Sequence, residues 1–259
     1  MLTLRSPRRV AVSDSGTTYF SIPTHGAAAA LVSFSGGKVK TVLDAQTTIG
    51  GLGVLTRPQV IAASAADDIL ISAALDTGAA GTKPTIVGTL QGTKFTEIAR
   101  EGTTPSETIT NHRTVGNDDT GGARYGASLA GSDPGTTINA LRIGNGSSTE
   151  EIVRELGIPP GGGPTVLALK ESRINSPGDV AFVVELGTVE GGTTRLEEIR
   201  TIVRRADGTF VTVASTVDTN RVGTLTRLRI VGFNDNGDVL LIGSRARAGD
   251  RVLLLASSS

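Results

Sequence analysis

Short runs of apolar, β-favouring residues alternate with polar turns along the whole chain. The clearest example is the polar stretch 175–179, which leads directly into Val180-Ala181-Phe182, and it recurs as 234–238 followed by Val239-Leu240-Leu241. In both copies a glycine can adopt the positive φ of a tight turn, and the apolar run that follows suits a β-strand. The pattern therefore predicts a repeated unit in which a turn is followed by a strand.

Five copies of this turn set the repeat. Their turn residues are Gly16, Asp67, Gly121, Gly178 and Gly237, and the copy that ends at Asp67 matches less well than the others. The intervals are 51, 54, 57 and 59 residues, which is typical of units whose strands are constant and whose loops vary. The predicted repeat units are 13–63, 64–117, 118–174, 175–233, and 234–259 together with 1–12.

Each unit is predicted to contain four antiparallel strands. The first follows the turn, a variable loop leads to the second, and a short polar hairpin turn leads to the third. A connection rich in Gly, Pro and Thr leads to a fourth strand, which ends at the next turn. The predicted first strands are 17–23, 69–75, 123–129, 180–186 and 239–245, the second strands 28–34, 85–91, 138–144, 199–205 and 251–257, the third strands 39–47, 95–100, 150–156 and 209–215, and the fourth strands 164–174 and 224–233.

One segment carries conflicting signals. Ser148-Thr149-Glu150-Glu151 has the form of a helix capping box, which favours a short helix after it. However, residues 151–155 align with residues 97–101 at a spacing of 54, which is also the spacing of the turns at Asp67 and Gly121. We therefore predict that both segments are strands.

A repeated four-stranded meander buries its faces either by radial packing, as in a β-propeller, or by stacking as a solenoid. The unit length favours the propeller. We predict an all-β, five-bladed β-propeller that forms a single domain over residues 1–259. Because the last unit is short, we expect residues 2–12 and 239–257 to share the closing blade. If that blade lacked a strand, a protein partner could add one at its free edge.

Charge and composition exclude several classes of function. Lys plus Arg equals Asp plus Glu at 25 each, so no strong field attracts polyanions, and nucleic acid is not an expected partner. The chain has no cysteine, hence no disulfide and no thiolate metal site. Its apolar runs are too short for membrane insertion, and residues 1–9 lack the apolar core of a signal peptide. No oligomeric state follows from the sequence.

The stretch from Asn175 to Phe182 resembles the motif of bacterial tandem-repeat proteins, whose repeats centre on Asn-x-x-Gly followed shortly by Ala-Phe. Asn175, Gly178, Ala181 and Phe182 match it, and the 234–238 copy matches it in part. The resemblance implies a β-propeller-like protein that is exported, with an extracellular, periplasmic or cell-surface location. It supplies no catalytic residues.

Polar turns provide the candidates for special chemistry. Ser13 to Phe20 is similar to the Asp-box of sialidase-like propellers, which folds the tip of a hairpin and is structural even in enzymes. The Asp/Asn-rich stretches 117–119 and 234–238 concentrate the oxygen ligands that calcium prefers. Neither has the other carboxylates of a known calcium loop, and Asx-type turns account for both. We therefore predict no metal site and no cofactor.

The remaining polar residues do not predict a catalytic site. His25 and His112 lie in different units. The two residues of each adjacent carboxylate pair, Glu150-Glu151 and Glu197-Glu198, point to opposite faces of a strand, and we interpret both pairs as solvated residues at strand edges. With no Trp and two Tyr, the chain is poorly suited to sugar recognition by stacking. We predict a non-enzymatic propeller that serves as a binding or structural module. The alternative is a glycosidase-like hydrolase or lyase with its active site at the mouth of the central channel.

Overall fold

The fold is all-β, as predicted. The computed structural model describes residues 10–23, 29–44, 47–49, 52–64, 67–76, 78, 83–103, 108–118, 123–131, 136–217, 224–245 and 250–257. The secondary structure in these ranges consists of strands joined by turns. No helix long and apolar enough to cross a membrane occurs in this described part of the chain.

The strands form five sheets, and in each sheet the neighbours are consecutive in the chain. The first sheet contains β1 (Val10–Val12), β2 (Thr18–Pro23), β3 (Ala29–Ser35) and β4 (Lys38–Leu43), and the second contains β5 (Thr48–Ile49), β6 (Gly53–Ala63), β7 (Ile69–Asp76), β8 (Thr85–Gln91) and β9 (Lys94–Arg100). The third sheet contains β10 (Gly102–Thr103), β11 (Thr108–Asn117), β12 (Ala123–Ala130), β13 (Thr137–Gly144) and β14 (Thr149–Arg154). The fourth contains β15 (Thr165–Ile174), β16 (Val180–Glu190), β17 (Thr193–Arg204) and β18 (Phe210–Ser215), and the fifth contains β19 (Leu225–Phe233), β20 (Val239–Arg245) and β21 (Arg251–Ala256).

The predicted strand positions are confirmed, but a uniform count of four strands per sheet is wrong. In chain order the described sheets have four, five, five, four and three strands. The additional strands β5 and β10 are each two residues long, and each pairs with the long strand that follows it. Such short strands are set by loop geometry, and they are too short to show the alternation of apolar and polar residues that predicts a strand.

Four of the five predicted turns have the same backbone hydrogen bonds. In each, the amide of the first residue donates to the carbonyl of the fifth, and the amide of the fourth donates back to the carbonyl of the first. The fourth residues are Gly16, Asp67, Gly178 and Gly237, with φ of 80°, 62°, 95° and 83°. The equivalence of these four turns is confirmed, whereas Gly121 lies outside the described residues.

The predicted grouping of strands into units needs a correction. We expected the strand before each turn to end the preceding unit, but it begins the next sheet instead. Ile174 pairs with Val180 across one turn, and Phe233 pairs with Val239 across another. A five-residue turn reverses the chain too tightly for its flanking strands to do anything other than pair with each other. The longer Gly/Pro-rich connections therefore join one sheet to the next.

Pairing across a five-residue turn also corrects part of the prediction that residues 2–12 and 239–257 share a sheet. Val10 pairs with Phe20 and Val12 pairs with Thr18, so residues 10–12 belong to the first sheet and not to the sheet that contains residues 239–257. Their partner is β2 because the turn at Gly16 joins the two strands. Residues 2–9, the rest of the predicted closing strand, lie outside the described residues.

The alignment of residues 151–155 with residues 97–101, which predicted strands and not a helix, is confirmed. Residues 94–100 and 149–154 both form strands, β9 and β14. Within them, Arg100 donates two hydrogen bonds to Glu97, at 3.0 and 2.6 Å, and Arg154 likewise donates two to Glu151. The spacing of 54 residues therefore relates two strands with the same internal ion pair, and the capping-box interpretation is wrong.

The chain divides into two compact units. Unit 1 comprises Met1–Ala130 and Ile143–Glu150, and unit 2 comprises Gly131–Arg142 and Glu151–Ser259. The single domain predicted from the sequence stays a prediction. In unit 1 the first and second sheets share a buried aliphatic cluster to which Leu31 and Leu55 belong. In unit 2 the fourth and fifth sheets share another, to which Val203 and Leu241 belong.

Candidate functional site

Asp67 is an exception among the repeated turns. It occupies the position held by glycine in the turns at Gly16, Gly178 and Gly237, and its φ is 62°. A non-glycine residue in this left-handed region costs about 1 kcal/mol, although aspartate tolerates it better than most residues do. Such strain persists when the side chain has a role that glycine cannot fill. The contacts of the Asp67 carboxylate are therefore informative.

Three hydroxyl groups from the first sheet and its turn surround this carboxylate. Ser15 Oγ donates to Asp67 Oδ1 over 2.8 Å, and the hydroxyls of Ser13 and Tyr19 lie near enough to stabilise the charge of the carboxylate. Hydrogen bonds from Ser13, Ser15 and then Tyr19 lower the pKa of Asp67, against the opposing effect of burial. Donors to the charged form stabilise it. Asp67 is consequently an anion at neutral pH.

Tyr19 is the buried member of this group. It lies on β2 and is 6% exposed, within the cluster shared by the first and second sheets. Burial raises the pKa of the Tyr19 hydroxyl, and the negative charge and hydrogen bond of Asp67 raise it further. The phenol therefore stays protonated, and its oxygen keeps lone pairs that can accept a hydrogen bond.

The Tyr19–Asp67 pair forms one wall of a pocket in unit 1. The pocket has a volume of about 310 Å³, which at roughly 30 Å³ per molecule corresponds to about ten waters. It is lined by Tyr19 from β2, Ser33 from β3, Lys40, Thr41 and Val42 from β4, Asp67 from its turn, Ile69 from β7, Leu90 from β8, and Gly92 and Thr93 from the turn between β8 and β9. The space suits a ligand about the size of one monosaccharide.

Several polar groups of this pocket are available to a ligand. Lys40 forms no ion pair or hydrogen bond with any of the residues that the structure describes. The hydroxyls of Ser33, Thr41 and Thr93 likewise have no hydrogen-bond partner within the described ranges. One free cation and three free hydroxyls thus face the same space as the satisfied Asp67 carboxylate. The aliphatic side chains of Val42, Ile69 and Leu90 supply the apolar part of the lining.

The interpretation of Glu197-Glu198 as a solvated edge is wrong for Glu198. This residue is 8% exposed, whereas its neighbour Glu197 is exposed, as expected for positions that point to opposite strand faces. Arg200 Nε and Nη2 donate to the Glu198 carboxylate over 2.9 and 2.7 Å, and Ser215 Oγ donates over 2.6 Å. Because Arg200 lies two residues further along the strand, it shares the buried face and neutralises the charge.

Glu150 and Glu151 divide in a similar way. Glu150 is exposed, while Glu151 is half-buried and accepts hydrogen bonds from Arg142 and Arg154. Burial alone would raise the pKa of Glu151, but its bonds to Arg154 and Arg142 outweigh that effect and lower it. The prediction that neither adjacent pair of glutamates forms a catalytic dyad stays a prediction.

The side chains of the Asp/Asn-rich turn 234–238 accept hydrogen bonds from backbone amides of this turn and of the turn 175–179. Asn234 Oδ1 accepts from the amides of Asn236 and Asp238 over 3.1 and 2.8 Å, and Asp235 Oδ1 accepts from the amide of Ser176 over 2.9 Å. The interpretation as an Asx-type turn is confirmed here. In the described part of the chain no three His, Asp or Glu side chains gather as metal ligands would. The predicted absence of a metal stays a prediction.

Other residues considered from the sequence do not join the pocket. His25 and Asp119 lie outside the described residues, and so does the side chain of His112. The serine-rich turn 13–17 does form the tip of the β1–β2 hairpin, as its likeness to an Asp-box predicted. It also supplies two of the hydroxyls that hold Asp67.

Sequence reasoning found Asp67 only as an irregular repeat position and missed Tyr19 and Lys40 as members of a site. The signal at Asp67 was present, because an aspartate stands where the four other turns have glycine. No comparable signal marks Lys40, since its place in the pocket depends on how the first sheet packs against the second.

The chain matches no protein-family model and no curated protein. Among solved structures it is similar to the polysaccharide lyase Uly1, with 11% identity and a TM-score of 0.44 over 96% of this chain and 68% of that one. It is also similar to the SapL1 lectin in complex with alpha methyl fucoside, with 9% identity and a TM-score of 0.37 over 96% of this chain and 79% of the lectin. A third is the β-propeller domain of the Trilobed protease from Pyrococcus furiosus, with 12% identity and a TM-score of 0.36 over 98% of this chain and 84% of that domain. Likenesses this distant carry no argument about the function of this chain.

Proposed function

We propose that the chain is a non-enzymatic β-propeller that serves as a binding module of an exported or cell-surface bacterial protein, and that the pocket beside Asp67 is its small-molecule site. The single observation that carries the proposal is the strained Asp67. Its carboxylate replaces a turn glycine and is kept anionic by three hydroxyls at the wall of a pocket with free polar groups. The Asp67 carboxylate and the free polar groups beside it thus present a fixed polar surface to a small-molecule ligand.

The propeller architecture is supported by the repeat. Each sheet is a meander, four sheets carry the same turn between their first and second long strands, and consecutive sheets share aliphatic clusters within unit 1 and within unit 2. Five such sheets would be the blades of a five-bladed propeller. The exported location rests on the motif resemblance at 175–182 alone.

Closure of the ring is a further part of this proposal. Among the described strands β21 pairs only with β20, so its outer edge offers unpaired backbone groups. We assign that edge to residues 2–9, which would bring the fifth sheet to four strands. Deleting residues 2–9 should then lower the melting temperature of the whole protein. If it does not, the edge is free for a partner strand, and the closed ring is contradicted.

An enzyme of the hydrolase or lyase type needs a group that donates or removes a proton near neutral pH. A carboxyl group that acts as a general acid requires a raised pKa. In the described part of the chain, each carboxyl group whose pKa departs from its ordinary value is lowered. These groups are Asp67, Asp76, Glu151, Glu198 and Asp207. None of these five carboxyl groups is therefore suited to act as a general acid near neutral pH.

The experiment that tests the binding function blocks the pocket with a bulky side chain. A panel of monosaccharides, sugar acids, amino acids and nucleotides is screened by ligand-observed NMR against the unmodified protein, Thr93→Trp and Lys94→Trp. Thr93 lines the pocket, whereas the adjacent Lys94, which is also exposed, does not. We expect a compound that binds the unmodified protein and Lys94→Trp, does not bind Thr93→Trp, and is recovered unchanged. A bound compound that is cleaved would establish the enzyme alternative, and the same panel response in all three proteins would contradict a pocket function.

A further inference from the structure

We infer that the pocket beside Asp67 takes a hydroxylated carboxylate of monosaccharide size, that is, a sugar acid such as a hexuronate. This inference rests on the proposed function, because it names the ligand class of the same site. The free polar groups of the pocket, their charges and the space they enclose support it.

The charged residues of the pocket lining decide which charge a ligand can carry. Lys40 is its cation, and Lys40 has no counter-charge among the described residues. The Asp67 carboxylate already accepts a hydrogen bond from Ser15 and lies beside the hydroxyls of Ser13 and Tyr19, which stabilise its charge. A carboxylate stabilised in this way gains less from a ligand ammonium group than a bare one does. Lys40 is exposed, so water hydrates its ammonium group in the free protein, and the pocket offers this cation to an anionic group of the ligand.

The second step selects the kind of anion. Phosphate groups carry a charge near −2 and are bound through Arg forks, several cations or clustered backbone amides. Among the described residues of its lining this pocket offers one lysine, and the fixed negative charge of Asp67 lies in the same lining. A singly charged carboxylate matches one ammonium group and suffers less repulsion from Asp67. The anionic end of the ligand then lies towards Lys40 and away from Asp67.

The third step concerns the rest of the ligand. The free hydroxyls of Ser33, Thr41 and Thr93 can each donate and accept, and the Tyr19 oxygen can accept one further hydrogen bond. Ligand hydroxyl groups satisfy these positions, whereas an aliphatic carboxylate would leave them without partners. The apolar side chains of Ile69 and Leu90 suit the C–H face of a ring. A volume of about 310 Å³ holds one such ring and excludes a longer chain buried as a whole.

The test compares three sugar acids, each with its neutral parent sugar, by isothermal titration calorimetry. D-glucuronate, D-galacturonate and D-mannuronate are paired with glucose, galactose and mannose. We expect at least one acid to bind the full chain about tenfold or more tightly than its parent, as a charge-assisted hydrogen bond provides. Lys40→Ala should reduce the affinity for the acid to that for the parent sugar. Lys38→Ala, on the same strand but outside the pocket, should leave the affinity unchanged.

Each other outcome has a defined meaning. Equal binding of an acid and its parent, or equal losses in Lys40→Ala and Lys38→Ala, would overturn the assignment of Lys40 to a ligand carboxylate. If none of the three acids binds while Thr93→Trp still abolishes binding of another compound, the sugar-acid inference is wrong and the proposed binding function stands. If no compound responds to Thr93→Trp, the proposed function itself is contradicted.

Discussion

Truncating Phe182 to alanine is expected to lower the free energy of unfolding by about 3 to 5 kcal/mol. Phe182 is 1% exposed and lies on β16, a central strand of the fourth sheet, paired with Ser172 on one side and Ile202 on the other. The loss combines the transfer free energy of a buried ring with the cavity that it leaves. Denaturant unfolding followed by circular dichroism measures it.

Phe210→Ala is the matched control for this substitution. Phe210 begins β18 at the edge of the same sheet and is 38% exposed, so its truncation should cost less than half as much. Equal losses for the two variants would show that the aromatic residue of the Ala-Phe motif has no special place in the core. The match to the Ala-Phe motif would then have no counterpart in the packing of the core.

Glu198→Ala is expected to cost about 3 kcal/mol. The substitution leaves Arg200 without its counter-charge and Ser215 without its acceptor, at a site where both charged side chains are largely buried. Replacing both partners, as in Glu198→Leu combined with Arg200→Met, should recover most of the loss, because it removes both buried charges together. The exposed neighbour provides the control, since Glu197→Ala should change stability by less than about 1 kcal/mol.

The same ion pair predicts a dependence on pH. Hydrogen bonds from Arg200 lower the pKa of Glu198 below its ordinary 4.5, in spite of burial, and Ser215 lowers it further. A carboxylate with a depressed folded-state pKa contributes stability above its unfolded value and loses it as the pH falls through the folded value. The difference in stability between the unmodified protein and Glu198→Ala should therefore be constant above about pH 5.5 and shrink below pH 4.5. A difference that grew with acid would contradict the pair.

Much of the fold could be predicted because the turns and strands depend on local sequence. Gly178 and Gly237 supply the positive φ that the turn requires, and the apolar run after each of them becomes a strand. The pairing of strands into sheets was harder to predict. Periodicity shows that Ile174 and Val180 flank a turn, but whether that turn lies within a sheet or between two sheets depends on its exact length and hydrogen bonds.

The candidate site could be predicted only in part. An aspartate at a glycine position of the repeat was visible in the sequence, but its meaning comes from Ser15 and Tyr19, which lie in another turn and strand. Glu198 was misjudged for a related reason. Its charge suggested that the side chain is exposed to solvent, whereas Arg200, two positions along on the same face, pairs with it and allows it to be buried.

The pKa of Asp67 itself tests most directly whether the pocket is a binding site built on a permanent anion. It is measured from the ¹³C chemical shift of the carboxyl carbon during an NMR titration of the labelled protein, with Tyr19→Phe and Ser15→Ala alongside. We expect a midpoint below the ordinary 3.8 in the unmodified protein and an upward shift in each variant, because each removes a hydroxyl that stabilises the charged form. A midpoint above 3.8, or one that neither variant changes, would contradict an anion held by these hydroxyls.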